Sequence, residues 1–231
     1  MENSEVISIH NLIKDYPIGL RKFRALDDIN LSVKLGEFTG LVGPSGSGKT
    51  TLLNIIGALD DPSAGEAIVL SENVALLNHR QSSQLRNKSL GFIFQTYNLL
   101  PVYNVFENVE FPLLLLKKEK TEREKAVMQA LGWVGLEDKA KSKPAQLSGG
   151  ECQRVAVARA MVKNPKIVLA DEPTANLDAA NSHNILKMMI KLNEELKTTF
   201  LFATHDEKVI GYLRRKVVLT DGKIVNDIYL N

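Results

Sequence analysis

Apolar and polar residues fall in blocks along this chain, and three apolar blocks each end where polar chemistry begins. Phe38 to Val42 runs into a glycine-rich segment, Ile167 to Ala170 runs into Asp171-Glu172, and Thr199 to Thr204 runs into His205. Continuous apolar runs this short predict strands buried on both faces. Between them lie helical signals. Thr50 to Leu59 continues directly from the glycine-rich segment and meets a stop at Asp61-Pro62-Ser63. Glu122 to Leu131 has helix-forming composition, and Gly150 to Val162 does too, with Asn164-Pro165 as its stop. Asn181 to Lys197 carries Ile185, Met188, Met189 and Leu192 at helical spacing, a stripe expected to face a core. The alternation predicts an α/β fold with a mostly parallel sheet, in which ligands sit beyond the carboxyl ends of the strands.

Residues 1–231 read as a single domain. Residues 1–95 and 156–231 are expected to form its core, and 96–155 a mainly helical lobe attached to the sheet. Tyr97, Leu99, Leu100 and Val102 make the entrance to that lobe apolar. After them, Asn104, Glu107 and Asn108 are interleaved with Val105, Phe106 and Val109. This strip is expected to stay partly exposed and to mark a partner surface centred on Leu100 and Phe106.

Composition narrows the classes. With 44% hydrophobic and 24% charged residues, the chain of 231 residues has the make-up of a folded protein and not of a disordered one. Lys plus Arg number 29 against 27 Asp plus Glu, a net charge of +2 that argues against a dedicated nucleic-acid binder. The single Cys152 excludes a disulfide framework and a multi-cysteine metal cluster. Met1 to His10 lacks the apolar core of a signal peptide. The longest obvious apolar run, Phe111 to Leu116, falls far short of the roughly 20 residues that span a bilayer. A soluble, cytoplasmic chain is therefore expected. The basic clusters at Lys117-Lys118, Lys139 to Lys143 and Arg214 to Lys216 read as solvated surface, and His10, His79 and His183 have no context that gives them a role.

The glycine-rich segment carries the first chemistry. Gly43-Pro44-Ser45-Gly46-Ser47-Gly48-Lys49-Thr50 fits G-x-x-x-x-G-K-[ST], the phosphate-binding P-loop, with Thr51 following at the cradle. Its glycines let the backbone curl around phosphate and turn successive N–H groups inward, and the helix that follows adds its N-terminal dipole. Lys49 is expected to neutralise the β- and γ-phosphates, and Thr50 to ligate Mg²⁺. GTPases, small-molecule kinases and motor ATPases share this loop, so it predicts nucleoside triphosphate binding without naming a class. Asp171, at the end of an apolar strand, is placed to hold Mg²⁺. Glu172 next to it offers a second carboxylate that can orient, or take a proton from, an attacking water.

Leu147-Ser148-Gly149-Gly150-Glu151 narrows the class further, because it resembles the LSGGQ signature of ATP-binding-cassette (ABC) ATPases. A serine hydroxyl and two glycine N–H groups there open a helix whose N-terminus can face an anion. The resemblance covers nearly the whole chain and implies a P-loop NTPase core, an N-terminal antiparallel β region and an inserted helical subdomain. It assigns Tyr16 to stacking on adenine, and Gln95, after Gly91 to Phe94, to sensing Mg²⁺ and the lytic water. It assigns Asp178, in Ala175-Asn176-Leu177-Asp178, to a loop that crosses to an opposing subunit, and His205 to the γ-phosphate. The chain departs from the pattern at Glu151, where Gln is commoner, and at Cys152, which is expected to be a quiet helix cysteine.

Gly43 to Leu59, Gly91 to Pro101, Glu107-Asn108-Val109 and Leu169 to Asp178 are similar to the ATPases of lipoprotein-release, macrolide-export and cell-division systems. The resemblance implies ATP hydrolysis, a head-to-tail homodimer in which Ser148, Gly149 and Gly150 complete the partner's site, and attachment to separate integral-membrane subunits at the cytoplasmic face of the membrane. Transport and force transmission without transport both remain open at this point.

Overall fold

The order of buried positions explains how the chain builds two sheets. The computed structural model describes residues 5–19 and 21–230; residues 1–4, 20 and 231, which the single-domain reading includes, lie outside the described residues. Strands β1 (Glu5–Ile18) and β2 (Arg21–Lys34) pair antiparallel over their length. They are followed by β3 (Phe38–Val42), α1 (Lys49–Ile56), β4 (Ala64–Val69) and β5 (Glu72–Asn73). Next come α2 (His79–Ser89), β6 (Leu90–Ile93), α3 (Val105–Leu115), α4 (Lys120–Val134) and α5 (Gly149–Met161). The chain ends with β7 (Ile167–Asp171), α6 (Ala179–Leu196), β8 (Thr199–Thr204), α7 (Glu207–Ile210), β9 (Arg215–Thr220) and β10 (Lys223–Tyr229).

One sheet is antiparallel, in the order β2-β1-β4-β5; the other has six strands in the order β10-β9-β3-β8-β7-β6. Strands β9, β3, β8, β7 and β6 run parallel, and only β10 pairs antiparallel. Every residue of β3 and β8 is buried, as continuous apolar runs in a doubly covered sheet require. Side chains alternate between the two faces. Phe200 and Phe202 join Phe38, Val168 and Ala170 in a core shared with α3 to α6, while Leu201 and Ala203 join Leu41, Ile167 and Leu169 in a core shared with α1 and the antiparallel sheet. The stripe on α6 packs as expected, with Ile185, Met189 and Leu192 buried and Met188 half-buried against the same core.

The first helix is shorter than its sequence suggests. It stops at Ile56, not Leu59. A Cβ at Gly57 would approach Phe92 to 2.9 Å and Leu169 to 3.1 Å, and the next residue, Ala58, turns to a left-handed φ of 50°. The left-handed turn at Ala58, closed by Ala58 N donating to the Ile55 carbonyl at 2.9 Å and Leu59 N to the Asn54 carbonyl at 2.8 Å, ends this helix before the Asp-Pro stop is reached.

Candidate functional site

Strand β3 lies beside β8, and β7 lies beyond it, all parallel, so Gly43, Asp171 and His205 emerge at one sheet edge. The loop after β3 is tightly constrained. A Cβ on Gly43 would fall 2.1 Å from the Leu219 carbonyl oxygen; Gly48 has φ of 100° and would meet the Ala25 carbonyl at 2.7 Å. Both positions need glycine. Lys49 is 7% exposed, and its Nζ donates to the Gly43 and Pro44 carbonyls at 2.7 and 2.8 Å. Burial pushes its amine below the ordinary lysine range, against the opposing pull of the Glu172 and Asp171 charges. Helix α1 begins with Gly48 at its N-cap and no side-chain cap, so its first-turn N–H groups keep their donor capacity. By contrast, Asn78, Asn104, Ser148 and Asp178 cap α2, α3, α5 and α6. The buried Ser47 hydroxyl has no hydrogen-bond partner. An uncapped helix, a buried cation and an orphaned hydroxyl on one loop fit an anionic phosphate chain.

The carboxylates face this loop. Thr50 Oγ1 donates to Asp171 Oδ1 at 3.2 Å, so the two oxygens proposed for one hard cation already adjoin. Burial pushes the Asp171 carboxyl above its usual range, and the neighbouring Glu172 charge adds to the rise. Nearby positive charge would therefore be stabilising there. Glu172 follows with φ of 44°, a conformation that non-glycine residues avoid. Strand alternation would send its side chain away from Asp171; the left-handed turn keeps both carboxylates on one cavity. Its Oε2 accepts from Thr204 Oγ1 at 3.1 Å, and its Oε1 lies 2.5 Å from His205 Nδ1.

The resulting cavity of about 470 Å³ is lined by Tyr16, Phe23, Ala25, Ser45, Gly46, Gly48, Lys49, Thr50, Thr51, Gln95, Asp171, Glu172 and His205. Gly43, Pro44 and Ser47 belong to the same loop but do not line the cavity. Phe23 was not singled out from the sequence. It sits directly across the hairpin from Tyr16 and is half exposed, at 50%. The signal that could have found it is the hairpin register, which needs the turn around Gly19 to be recognised first. Gln95 is joined to the segment after β7, since Asn176 Nδ2 donates to its carbonyl at 2.9 Å.

Ser148, Gly149, Gly150 and Asp178 do not line this cavity. Ser148 caps α5 in a reciprocal box: Glu151 N donates to Ser148 Oγ at 3.3 Å, while Ser148 N and Oγ donate to Glu151 Oε2 at 2.8 and 2.9 Å. Glu151 thus caps as the commoner glutamine could, and its carboxyl is held below the usual range mainly by the Ser148 N–H. Asp178 caps α6 through Asn181. A Cβ on Gly150 would lie 2.6 Å from Asn181 Oδ1, so this glycine has a packing reason of its own. Cys152 is buried and burial pushes its thiol up, which makes it an unreactive helix residue.

The apolar strip after Gln95 splits in two. Val105, Asn108 and Val109 are buried. Asn108 staples the preceding loop, accepting from Leu100 N at 2.8 Å and donating to the Leu100 and Asn104 carbonyls. Leu100 instead lines a groove of about 280 Å³ with Phe92, Phe94, Phe111, Pro112, Arg159 and Lys163. Arg159, on α5, holds the left-handed residues Tyr97 and Asn98 through their carbonyls at 2.7 and 2.5 Å. Phe106 lines a separate cavity of about 720 Å³ together with Met128 and Arg123. Leu100 and Phe106 therefore do not form one surface.

Comparison with known proteins agrees with this geometry. Residues 26–175 match the family model described as ABC transporter. The chain is 44% identical, over 96% of its own length and 96% of the relative's, to "Lipoprotein-releasing system ATP-binding protein LolD" of Francisella tularensis subsp. tularensis strain FSC 198. The protein of the same name from subsp. holarctica strain LVS matches equally. Among solved structures, the ATP-binding cassette MJ0796, dimeric and bound to ADP and Pi, superposes with a TM-score of 0.90 at 40% identity, covering 97% of this chain and 99% of that one. The protein cbiO1 of Clostridium perfringens, part of the ABC transporter complex cbiONQ, gives 0.87 at 29% identity, with 96% and 88% covered. With a P-loop, two clustered carboxylates and a signature helix on this fold, the chain belongs to the ABC transporter family and is an ATP-hydrolysing ATP-binding cassette of it.

Proposed function

We propose that this cassette drives a lipoprotein-releasing membrane complex, as a homodimer held at the cytoplasmic face by integral-membrane subunits. The observation that carries its chemistry is the single cavity containing Lys49, the Thr50–Asp171 pair and the Glu172–His205 pair. The system-level reading draws on the likeness to LolD over nearly the full length of both chains. Among the described residues no helix is long and apolar enough to cross a membrane, which fits a chain that acts on separate membrane subunits.

Residues about 96–155 would act as the helical subdomain of a single cassette. Loop N–H groups of Ser45, Gly46 and Gly48 and the Lys49 amine bind the phosphates, which requires Lys49 to leave the Gly43 and Pro44 carbonyls. Tyr16 stacks on the base. Thr50, Asp171 and Gln95 would hold Mg²⁺, which supplies charge neutralisation on the phosphate oxygens when bound. Glu172 accepts the proton of the attacking water, oriented by Thr204, and His205 donates toward the γ-phosphate. Ser148, Gly149, Gly150 and Asp178, which stand apart from their own chain's cavity, complete the partner's. ATP then favours the closed dimer by contacts that ADP cannot make. The groove beside Leu100, tied to Gln95 through the Arg159-held turn, receives a segment of the membrane subunit.

The test has two arms. Lys49→Ala should lose ATP binding by calorimetry with its unfolding temperature little changed; unaltered binding would remove the site assignment. The native complex, purified through a tag on this chain, should release acylated proteins from vesicles in an ATP-dependent manner. Hydrolysis without any release would favour a force-transmitting role instead.

A further inference from the structure

Tyr16 lies near the end of β1, beside exposed Pro17 and Ile18, where the backbone alone does not fix a ring. A partly buried cluster fixes it. The Tyr16 hydroxyl donates to Asp60 Oδ2 at 2.6 Å, and Lys14 Nζ donates to Asp60 Oδ1 at 2.5 Å and to the Asp61 carbonyl at 2.6 Å. Lys14 is only 8% exposed, and its ammonium lies 4.8 Å from the centre of the Tyr16 ring. Asp60 stands just after α1, the helix that the P-loop opens, and the Leu59 N–H still bonds the Asn54 carbonyl of that helix. Two further bonds stitch the same segments, Ser63 N to the Ile13 carbonyl at 2.8 Å and Asp15 N to Ser63 Oγ at 2.9 Å. The ring is thus tied to the segment that follows the short helix opened by the phosphate loop, and the same hydroxyl lies beside Thr51 in the first turn of that helix.

We propose that Asp60, seated by Lys14, is a positioning residue for nucleotide binding: it holds the Tyr16 ring at a fixed distance from the phosphate cradle, so that base and phosphates are met together. This rests on the reading that Tyr16 stacks on the base. Holding the ring removes rotamer freedom before the ligand arrives, and immobilising one such side chain is worth roughly a 3- to 10-fold change in affinity. The hydroxyl serves as the tether and not as a contact to the base edge. Lys14 adds a second constraint, because its ammonium occupies one face of the ring and leaves the other for the ligand.

The experiment is calorimetric titration of Mg-ADP into the full chain carrying Tyr16→Ala, Tyr16→Phe, Asp60→Ala, or Tyr16→Ala with Asp60→Ala. Tyr16→Phe keeps the ring and leaves the Lys14–Asp60 pair intact, so it stays informative if Asp60→Ala fails to fold. Expected are a large loss for Tyr16→Ala, losses of roughly 3- to 10-fold for Tyr16→Phe and for Asp60→Ala, and no further loss in the double variant. Unchanged affinity in Tyr16→Phe, with a large loss in Tyr16→Ala, overturns the tether while leaving the stacking role. Unchanged affinity in Tyr16→Ala overturns the stacking role and the proposal with it. An additive double variant assigns Asp60 to general stability and overturns the proposal.

Discussion

His205 Nδ1 lies 2.5 Å from Glu172 Oε1, while the other oxygen of the same carboxylate accepts from Thr204 Oγ1. The histidine follows β8 and the glutamate follows β7, and Glu172 holds this contact with a backbone φ of 44°. From the sequence, Glu172 is read as activating water at a strand end, and His205 is assigned to the γ-phosphate by family resemblance; the structure makes them one hydrogen-bonded unit. Glu172→Gln should cut hydrolysis by roughly 10²- to 10⁴-fold, the range for loss of a general base, while ATP still binds. Light scattering should then show a dimer in ATP and a monomer in ADP. A monomer in saturating ATP would count against the shared-site reading.

Gly150 is constrained by Asn181, which is itself fixed by Asp178. Gly150→Ala must displace the Asn181 amide and should destabilise the cassette by about 1–3 kcal/mol in urea unfolding. Adding Asn181→Ala should recover most of that loss. If the double variant is no better than the single one, the contact is not the cause.

Leu100 and Phe106 face different cavities. Leu100→Asp should weaken capture of the membrane subunits in a pull-down and leave Mg-ADP affinity within about 2-fold. Phe106→Asp should leave capture intact. Val109→Asp, by contrast, buries a charge in the core and should unfold the protein. Equal loss of capture from both Leu100→Asp and Phe106→Asp would show that the groove alone is not the dock.

Lys163, at the edge of that groove, has its amine pushed down from 10.5 to about 8 by burial. Between pH 8 and 10.5 the unfolded chain therefore binds more protons at this site, so its contribution to stability improves as pH rises through that window. Lys163→Met loses the bond from Nζ to the Arg86 carbonyl at 2.7 Å, and its stability relative to the parent should fall between pH 8 and pH 10. Urea midpoints at the two pH values give the comparison; parallel pH profiles for both proteins would contradict the shift.

The parts of this cassette whose chemistry is local are legible in its residues alone. A phosphate loop needs glycines and a lysine at fixed spacing, so Gly43 to Thr50 is legible as a string, and uninterrupted apolar runs before it and before Asp171 and His205 announce the buried parallel strands. Even Ser148 with Glu151 carries its own cap. Other features follow from contacts between residues far apart in the chain. Position 57 must be glycine because Phe92 and Leu169 press on it. Phe23 reaches the cavity through the register of the β1–β2 hairpin, and Asp60 reaches Tyr16 across 44 positions. The apolar strip after Gln95 divided because α3 turns Val105 and Val109 into the core and leaves Leu100 and Phe106 to different cavities. Periodicity records that a residue is apolar or polar, but only the packing of one element on another fixes which side chain it meets.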